Sequence, residues 1–554
     1  MKMKVRLLAL LLVICFCSFG LSSCTIVQKI DAPSAGDSLT VQPGGDLGSK
    51  EPLTFPAYTM TDADVEEFYG LLETIKADLF NSQSTEEQLI AELDRMEELY
   101  YYIFTQAQIA YVLYCEDTAN EALSERYLTS NQVSSEAYEA YITFCRAIDE
   151  SEAPWRAFFF SDWTEEDFAS MRNHSAEETA LELANSELLV QFNGLDDASF
   201  EAEAAKLYFQ LIQNNNAIAK LNGYDDYWTY AYENEYGRDY GAEEVARIRA
   251  LVKEYMVNLC KQAYNVFSSR YGRLNASKQA KVSNLFNKAY NRSTVNYVEK
   301  YIATFSEATA ADMGSIFLEA NSIFATGANA LDGAFTTYLY ANQRPVCYFG
   351  AAYQDSFTVV HEMGHYYSFI CNESDQYQLD LMELQSQGNE WLFTAYLGQV
   401  MDAEIAETIM AYQLYNSSAV ILIGMIIDEF EQGCYQGKVN SVADFDIWMT
   451  KVAEDYGGMD FLNEYVTDIL YYWRAVTVQS SVYYISYSVS MLAAMQIYAT
   501  AEQSSYAAAM EQYLNVTNLS SYEELPTFFE AMENAGLCTP TDVNAYRNLQ
   551  SLVS

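Results

Sequence analysis

The chain has 554 residues, with 77 Asp+Glu against 30 Lys+Arg, three histidines and a formal net charge of −47. Half of it is hydrophobic, so it has ample apolar surface to bury and is not disordered. The charge excludes binding nucleic acid or anionic headgroups through a general basic field, and the length excludes a small stapled scaffold.

The first segment reads as an address. Lys2, Lys4 and Arg6 precede a nearly unbroken apolar run, Leu7–Phe19, and then Leu21-Ser22-Ser23-Cys24. A basic start, a short apolar stretch and small residues before a cleavage site make a secretory signal. The cysteine after Leu-Ser-Ser resembles a bacterial lipobox. This implies that residues 1–23 are removed and that Cys24 is lipidated. The protein is then expected outside the cytoplasm, lipid-anchored to the bacterial cell membrane or envelope. The alternatives are an ordinary signal peptide with a chance cysteine, or a single membrane anchor. Residues 24–56 follow as a flexible tether, holding Pro33, Pro43, Pro52 and Pro56 of the eight prolines in the chain.

Beyond the tether only Pro154, Pro345, Pro526 and Pro540 remain, which leaves room for long helices. Ser84-Thr85-Glu86-Glu87 reads as a capping box. Leu89, Leu93, Met96, Tyr100 and Ile103 then recur at helical steps, with Glu92, Asp94, Glu97 and Glu98 between them. This style runs through most of the chain and predicts an all-α fold. One small β element is predicted in Phe335–Gly350, which is rich in aromatic and β-branched residues. The apolar run Ala419–Ile427 is too short to span a membrane and reads as a buried helix. Cys15 and Cys17 belong to the signal. Cys115, Cys145, Cys260, Cys347, Cys371, Cys434 and Cys538 are odd in number, scattered and without a CxxC, so they read as small buried hydrophobes.

The chemistry is concentrated in His361-Glu362-Met363-Gly364-His365. Residues i and i+4 share a helical face, so both imidazoles can reach one Zn²⁺ while Glu362 faces the reacting water as a general base. With three histidines in the chain, a chance HExxH is expected on the order of 10⁻³ times. Glycine inside a helix costs about 1 kcal/mol relative to alanine. Gly364 therefore points to close packing against the helix that bears the third ligand. That ligand must be a carboxylate, because no histidine follows His365. Glu383 and Glu390 are seven apart on one helical face, and Glu373, Asp375 and Asp380 compete with them.

HEMGH followed by Glu383-x-x-Ser386-x-x-Asn389-Glu390 resembles the thimet oligopeptidase and oligoendopeptidase F family of zinc peptidases. Asp332–Phe335, Arg344-Pro345, Asn222–Tyr227 and Tyr236–Tyr240 also look like that family. The resemblance implies an elongated helical body with a deep active-site channel. It implies an N-terminal helical hairpin region at 57–204 and a catalytic domain at 205–554. It makes Glu383 the third ligand of a single zinc ion and Glu390 a supporting carboxylate. The implied activity is that of a metalloendopeptidase on short or unfolded peptides. The chain is expected to be a monomer. Val482–Tyr487 resembles the family's tyrosine motif, which assigns Tyr484 and Tyr487 to the substrate oxyanion. The chain departs from the family in having no histidine in Arg474–Ser481. Stabilising the oxyanion then falls to the tyrosines or to Arg474. The link from His365 to Glu383 is also shorter than usual. His174 is given no role. The alternatives are a non-catalytic lipoprotein that binds peptides or a partner, and a zinc amidase acting on non-peptide substrates.

Overall fold

The computed structural model describes residues 54–80 and 84–553, apart from 154, 162, 174, 197, 287–291, 373–377, 521, 523 and 524. The signal segment, Cys24, nearly all of the tether, His174, Glu373 and Asp375 lie outside the described residues. Among the described residues, eleven helices run twelve residues or longer. These are α1 (Asp62–Phe80), α2 (Glu86–Glu116), α3 (Glu121–Asp149), α4 (Ala176–Asn193), α5 (Phe200–Leu221), α6 (Ala242–Arg273), α7 (Ser356–Asn372), α8 (Leu379–Val400), α9 (Ala403–Tyr435), α10 (Ile485–Gln503) and α11 (Tyr506–Thr517).

The N-terminal helices follow the expected pattern. Leu89, Leu93, Met96, Tyr100 and Ile103 of α2 are all buried, packed with Phe68, Leu72 and Ile75 of α1 and with Tyr141, Ile142 and Ile148 of α3. The capping box sits one residue later than predicted. Thr85 Oγ1 accepts from the Gln88 N–H at 3.3 Å, and Gln88 Oε1 accepts from the Thr85 N–H at 3.2 Å. The sequence admits both frames, and Gln88 serves the role that Glu87 was expected to fill.

A second, larger core takes in α5, α6 and everything from α7 to the C-terminus, together with Leu188 and Phe192 of α4. Helix α9 is long and apolar enough to cross a membrane. Its most apolar stretch is 94% buried inside the fold, as expected of Ala419–Ile427. It is therefore a core helix, and it carries Asp428 and Glu431 fully buried. All seven cysteines of the described residues are free, five of them buried.

The small sheet packs between α2 and the larger core. Phe335–Gly350 forms a hairpin of β2 (Ala334–Leu339) and β3 (Arg344–Phe349), paired antiparallel from Ala334 opposite Phe349 to Leu339 opposite Arg344. A third strand, β1 (Ser322–Phe324), lies parallel to β3. Strand β1 has no sequence signature, because three residues cannot show a period of two. Alternation sorts the two faces of the hairpin. Phe335, Leu339, Val346 and Tyr348 meet α2 through Ile109, Val112 and Cys115. Ala334, Cys347 and Phe349 join the large core, on which α7 lies.

Candidate metal centre

Helix α7 starts at a buried aspartate. Asp355 Oδ1 accepts from the N–H groups of Phe357 and Thr358 at 3.0 and 3.1 Å, and Oδ2 accepts from Thr358 Oγ1 at 2.7 Å. Every residue of the helix from Ser356 to Phe369 is buried, with the sheet and α8 packed against it. His361 and His365 sit one turn apart, with ring centroids 5.0 Å apart.

Glu383 reaches them from α8. Its Oε2 lies 3.6 Å from His361 Nε2 and 4.0 Å from His365 Nε2, and one ligand atom from each residue falls within 4.8 Å of the others. Zinc takes such ligands at about 2.0–2.2 Å in a tetrahedron, so three atoms this far apart can share one ion with little movement. The helices come this close because residue 364 is glycine. A Cβ there would stand 2.5 Å from Ser386 Cα and 2.7 Å from the Gln385 carbonyl oxygen, both on the backbone of α8.

The competing carboxylates in the described residues have other partners. Glu390 Oε1 lies 2.7 Å from His361 Nδ1, on the ring nitrogen away from Glu383, and so orients the imidazole. Asp380 is fully buried, accepting from the Tyr240 hydroxyl at 2.6 Å and facing Arg238 Nε at 3.6 Å.

Electrostatics fit a cation. Burial opposes charge on His361, but the Glu390 bond and the charges of Glu390, Glu383 and Glu362 outweigh it and hold the imidazole up at about 9. Burial and the charge on His361 push His365 well below its ordinary value. Burial likewise raises Glu383, against the charge of His361 and the hydroxyl of Tyr483. Burial thus works against the charged carboxylates of Glu362 and Glu383, and a divalent ion bound among these side chains would favour their ionised forms.

Glu362 is 1% exposed. Burial lifts its carboxyl to about 7, opposed by His361 and by a hydrogen bond from Thr336 Oγ1 to Oε2 at 2.7 Å. Sequence reasoning missed Thr336. It lies on β2, 26 residues before Glu362, where only the sheet brings it near.

The tyrosine segment is a turn of residues 481–484 leading into α10. Tyr484 and Tyr487 are buried with ring centroids 5.5 Å apart, and Tyr483 packs against both at 6.2 and 5.0 Å. Tyr483, which the sequence reading passed over, donates its hydroxyl to Glu383 Oε1 at 2.5 Å. The helix begins only at Ile485, and Val482 has a positive φ of 60°, so the helical spacing says nothing about where Tyr483 points. Arg474 is engaged with Asp446: its Nη2 donates to both carboxylate oxygens at 2.9 and 2.8 Å, and the guanidinium lies over the Trp473 ring.

No family model matches the chain, and no curated protein matches it. Its fold does match solved structures. PZ peptidase A, determined with an inhibitor, is 18% identical, with a TM-score of 0.69, over 90% of this chain and 97% of that one. A protein assigned as oligoendopeptidase F from Bacillus anthracis str. Ames is 16% identical, with a TM-score of 0.68 and the same coverage. Oligoendopeptidase-F from Enterococcus faecium is 15% identical, with a TM-score of 0.55, over 89% of this chain and 98% of that one. The fold is therefore the helical fold of the oligoendopeptidases, as the motif resemblance implied.

Proposed function

We propose that the chain is a zinc-dependent oligopeptidase, lipid-anchored through Cys24 outside the cytoplasm, that hydrolyses peptide bonds in short or unfolded peptides. The observation that carries this reading is the convergence of His361, His365 and Glu383, buried and within ligand reach of one another, with Glu362 beside them. The oligoendopeptidase fold supports it.

His361, His365 and Glu383 would hold the ion. When bound, zinc supplies Lewis acidity, polarising the scissile carbonyl and acidifying water. Glu362 takes the proton of the attacking water and returns it to the leaving amine. Thr336 holds Glu362 Oε2, which leaves Oε1 for that transfer. A carboxyl lifted by burial toward neutrality suits both halves of the task. Glu390 keeps the His361 ring turned so that Nε2 faces Glu383. Tyr484 and Tyr487 donate phenol hydrogen bonds to the oxyanion.

The test is Glu362→Gln, assayed for zinc content and for cleavage of a quenched-fluorescent peptide library. The variant should keep its zinc and lose at least about 10²-fold in kcat/KM. Wild-type turnover in a zinc-loaded Glu362→Gln protein would refute the assignment. The second reading is a non-catalytic peptide-binding lipoprotein. It is favoured by the absence of a histidine after His365 and by the commitment of Arg474 to Asp446. Zinc binding without cleavage of any peptide by the wild type would select it.

A further inference from the structure

Arg238 follows a five-residue π-helical stretch, Ala231–Glu235, and its side chain is completely buried. The guanidinium lies between the rings of Tyr232 and Tyr236, 4.3 Å from each centroid. It touches one carboxylate, Asp380, at 3.6 Å. Its hydrogen bonds go to the tyrosine segment: Nη2 donates to the Val482 carbonyl oxygen at 3.0 Å and to Ser486 Oγ at 2.9 Å.

Val482 is a β-branched residue in the left-handed region, a conformation that persists only where the surroundings impose it. Those surroundings are visible. Both carboxylate oxygens of Glu431 accept the Val482 N–H at 3.1 Å, and the Tyr236 hydroxyl donates to the Ser481 carbonyl at 2.6 Å. The turn so held delivers Tyr483 to Glu383 Oε1. Arg238 also reaches α8 at Asp380, one turn before Glu383. The contacts therefore close a ring: Arg238, Asp380, Glu383, Tyr483, Val482 and back to Arg238.

We propose that Arg238 is a positioning residue, which holds the Val482 turn and α8 in register so that the Tyr483 hydroxyl fixes the orientation of Glu383 as a metal ligand. This rests on reading His361, His365 and Glu383 as the zinc site. Groups that orient a ligand typically matter about 10–100-fold in metal affinity. Lysine keeps the charge of Arg238 but has no planar fork to span both Val482 and Asp380.

The experiment is a double-mutant cycle read in zinc affinity, by competition with a chromophoric chelator. It compares the wild type, Tyr483→Phe, Arg238→Lys and the double variant. Each single variant should bind zinc about 10-fold or more weakly. The double should lose no more than the weaker-binding single, because both act through one hydroxyl. An Arg238→Lys protein with wild-type affinity, a Tyr483→Phe protein with wild-type affinity, or losses that multiply in the double would each overturn the proposal. Should Arg238→Lys not fold, Ser486→Ala replaces it by removing one Arg238 acceptor. Its expected loss is several-fold in the wild type and absent in Tyr483→Phe, and any other pattern counts against the proposal. Wild-type protein that binds no zinc would overturn both this inference and the site. Wild-type protein that binds zinc but cleaves nothing would overturn the peptidase reading alone, with the cycle still decisive.

Discussion

The first half of α2 and the whole of α8 are both helices, but they bury different things. In α2 the apolar residues Leu89, Leu93, Met96 and Ile103 face the core, while Glu87, Asp94 and Glu98 face water. In α8 nearly every residue from Leu379 to Leu397 is buried, including Asp380, Glu383, Gln385, Ser386, Gln387 and Asn389. Burying a polar group is costly unless it is bonded, and each of these makes at least one hydrogen bond, although Asp380 Oδ1 and the side-chain carbonyl oxygens of Gln385 and Gln387 have no hydrogen-bond partner among the described residues. Gln385 donates to the Val516 carbonyl at 3.0 Å, Gln387 to that of Tyr487 at 3.3 Å, and Asn389 to that of Val360 at 2.7 Å. One helix is held by apolar area. The other adds to its apolar area a polar network that also aims its functional carboxylates.

Two variants probe this contrast. Ile103→Ala should cost about 2–5 kcal/mol of stability, seen in chemical denaturation, and leave zinc affinity unchanged. A loss of zinc affinity in that variant would break the separation between the two regions. Gly364→Ala should cost about 1–3 kcal/mol and weaken zinc binding as well, because the new methyl meets the α8 backbone and not a yielding side chain. An unchanged zinc affinity there would mean that the α7–α8 approach does not set the site.

The smallest effect concerns Glu235, a half-buried carboxylate near Glu178 and Glu182 of α4. Burial raises it from 4.5 to about 7, against the Tyr227 hydroxyl and with help from the charges of Glu182 and Glu178. The unfolded chain releases this proton near pH 4.5, and the folded protein keeps it until about 7. Stability therefore falls as pH rises through that interval. Glu235→Gln should melt higher than the wild type at pH 8 and level with it near pH 4.5. Parallel melting curves across that range would exclude the raised carboxyl.

The contrast also explains what could be read in advance. Helix α2 was legible because its two faces differ in polarity, although the frame of its cap was off by one. The β2–β3 hairpin showed in its aromatic and β-branched residues. The zinc motif and Gly364 were legible because helical spacing fixes which side chains share a face. Choosing Glu383 over Glu390 needed more than spacing, since both lie on one face. In the structure they approach opposite nitrogens of the same imidazole. Thr336, Tyr483 and Arg238 act across 26, 100 and 244 residues of chain, on Glu362, Glu383 and Val482 respectively. Partners that distant are set by tertiary packing and leave no local pattern.

The central claim is that His361, His365 and Glu383 form one metal site. The most direct measurement is anomalous diffraction at the zinc absorption edge, from crystals of the protein grown with zinc. A single strong peak about 2 Å from His361 Nε2, His365 Nε2 and a Glu383 carboxylate oxygen is the predicted result. No peak at that position, or a peak held by other residues, would contradict it.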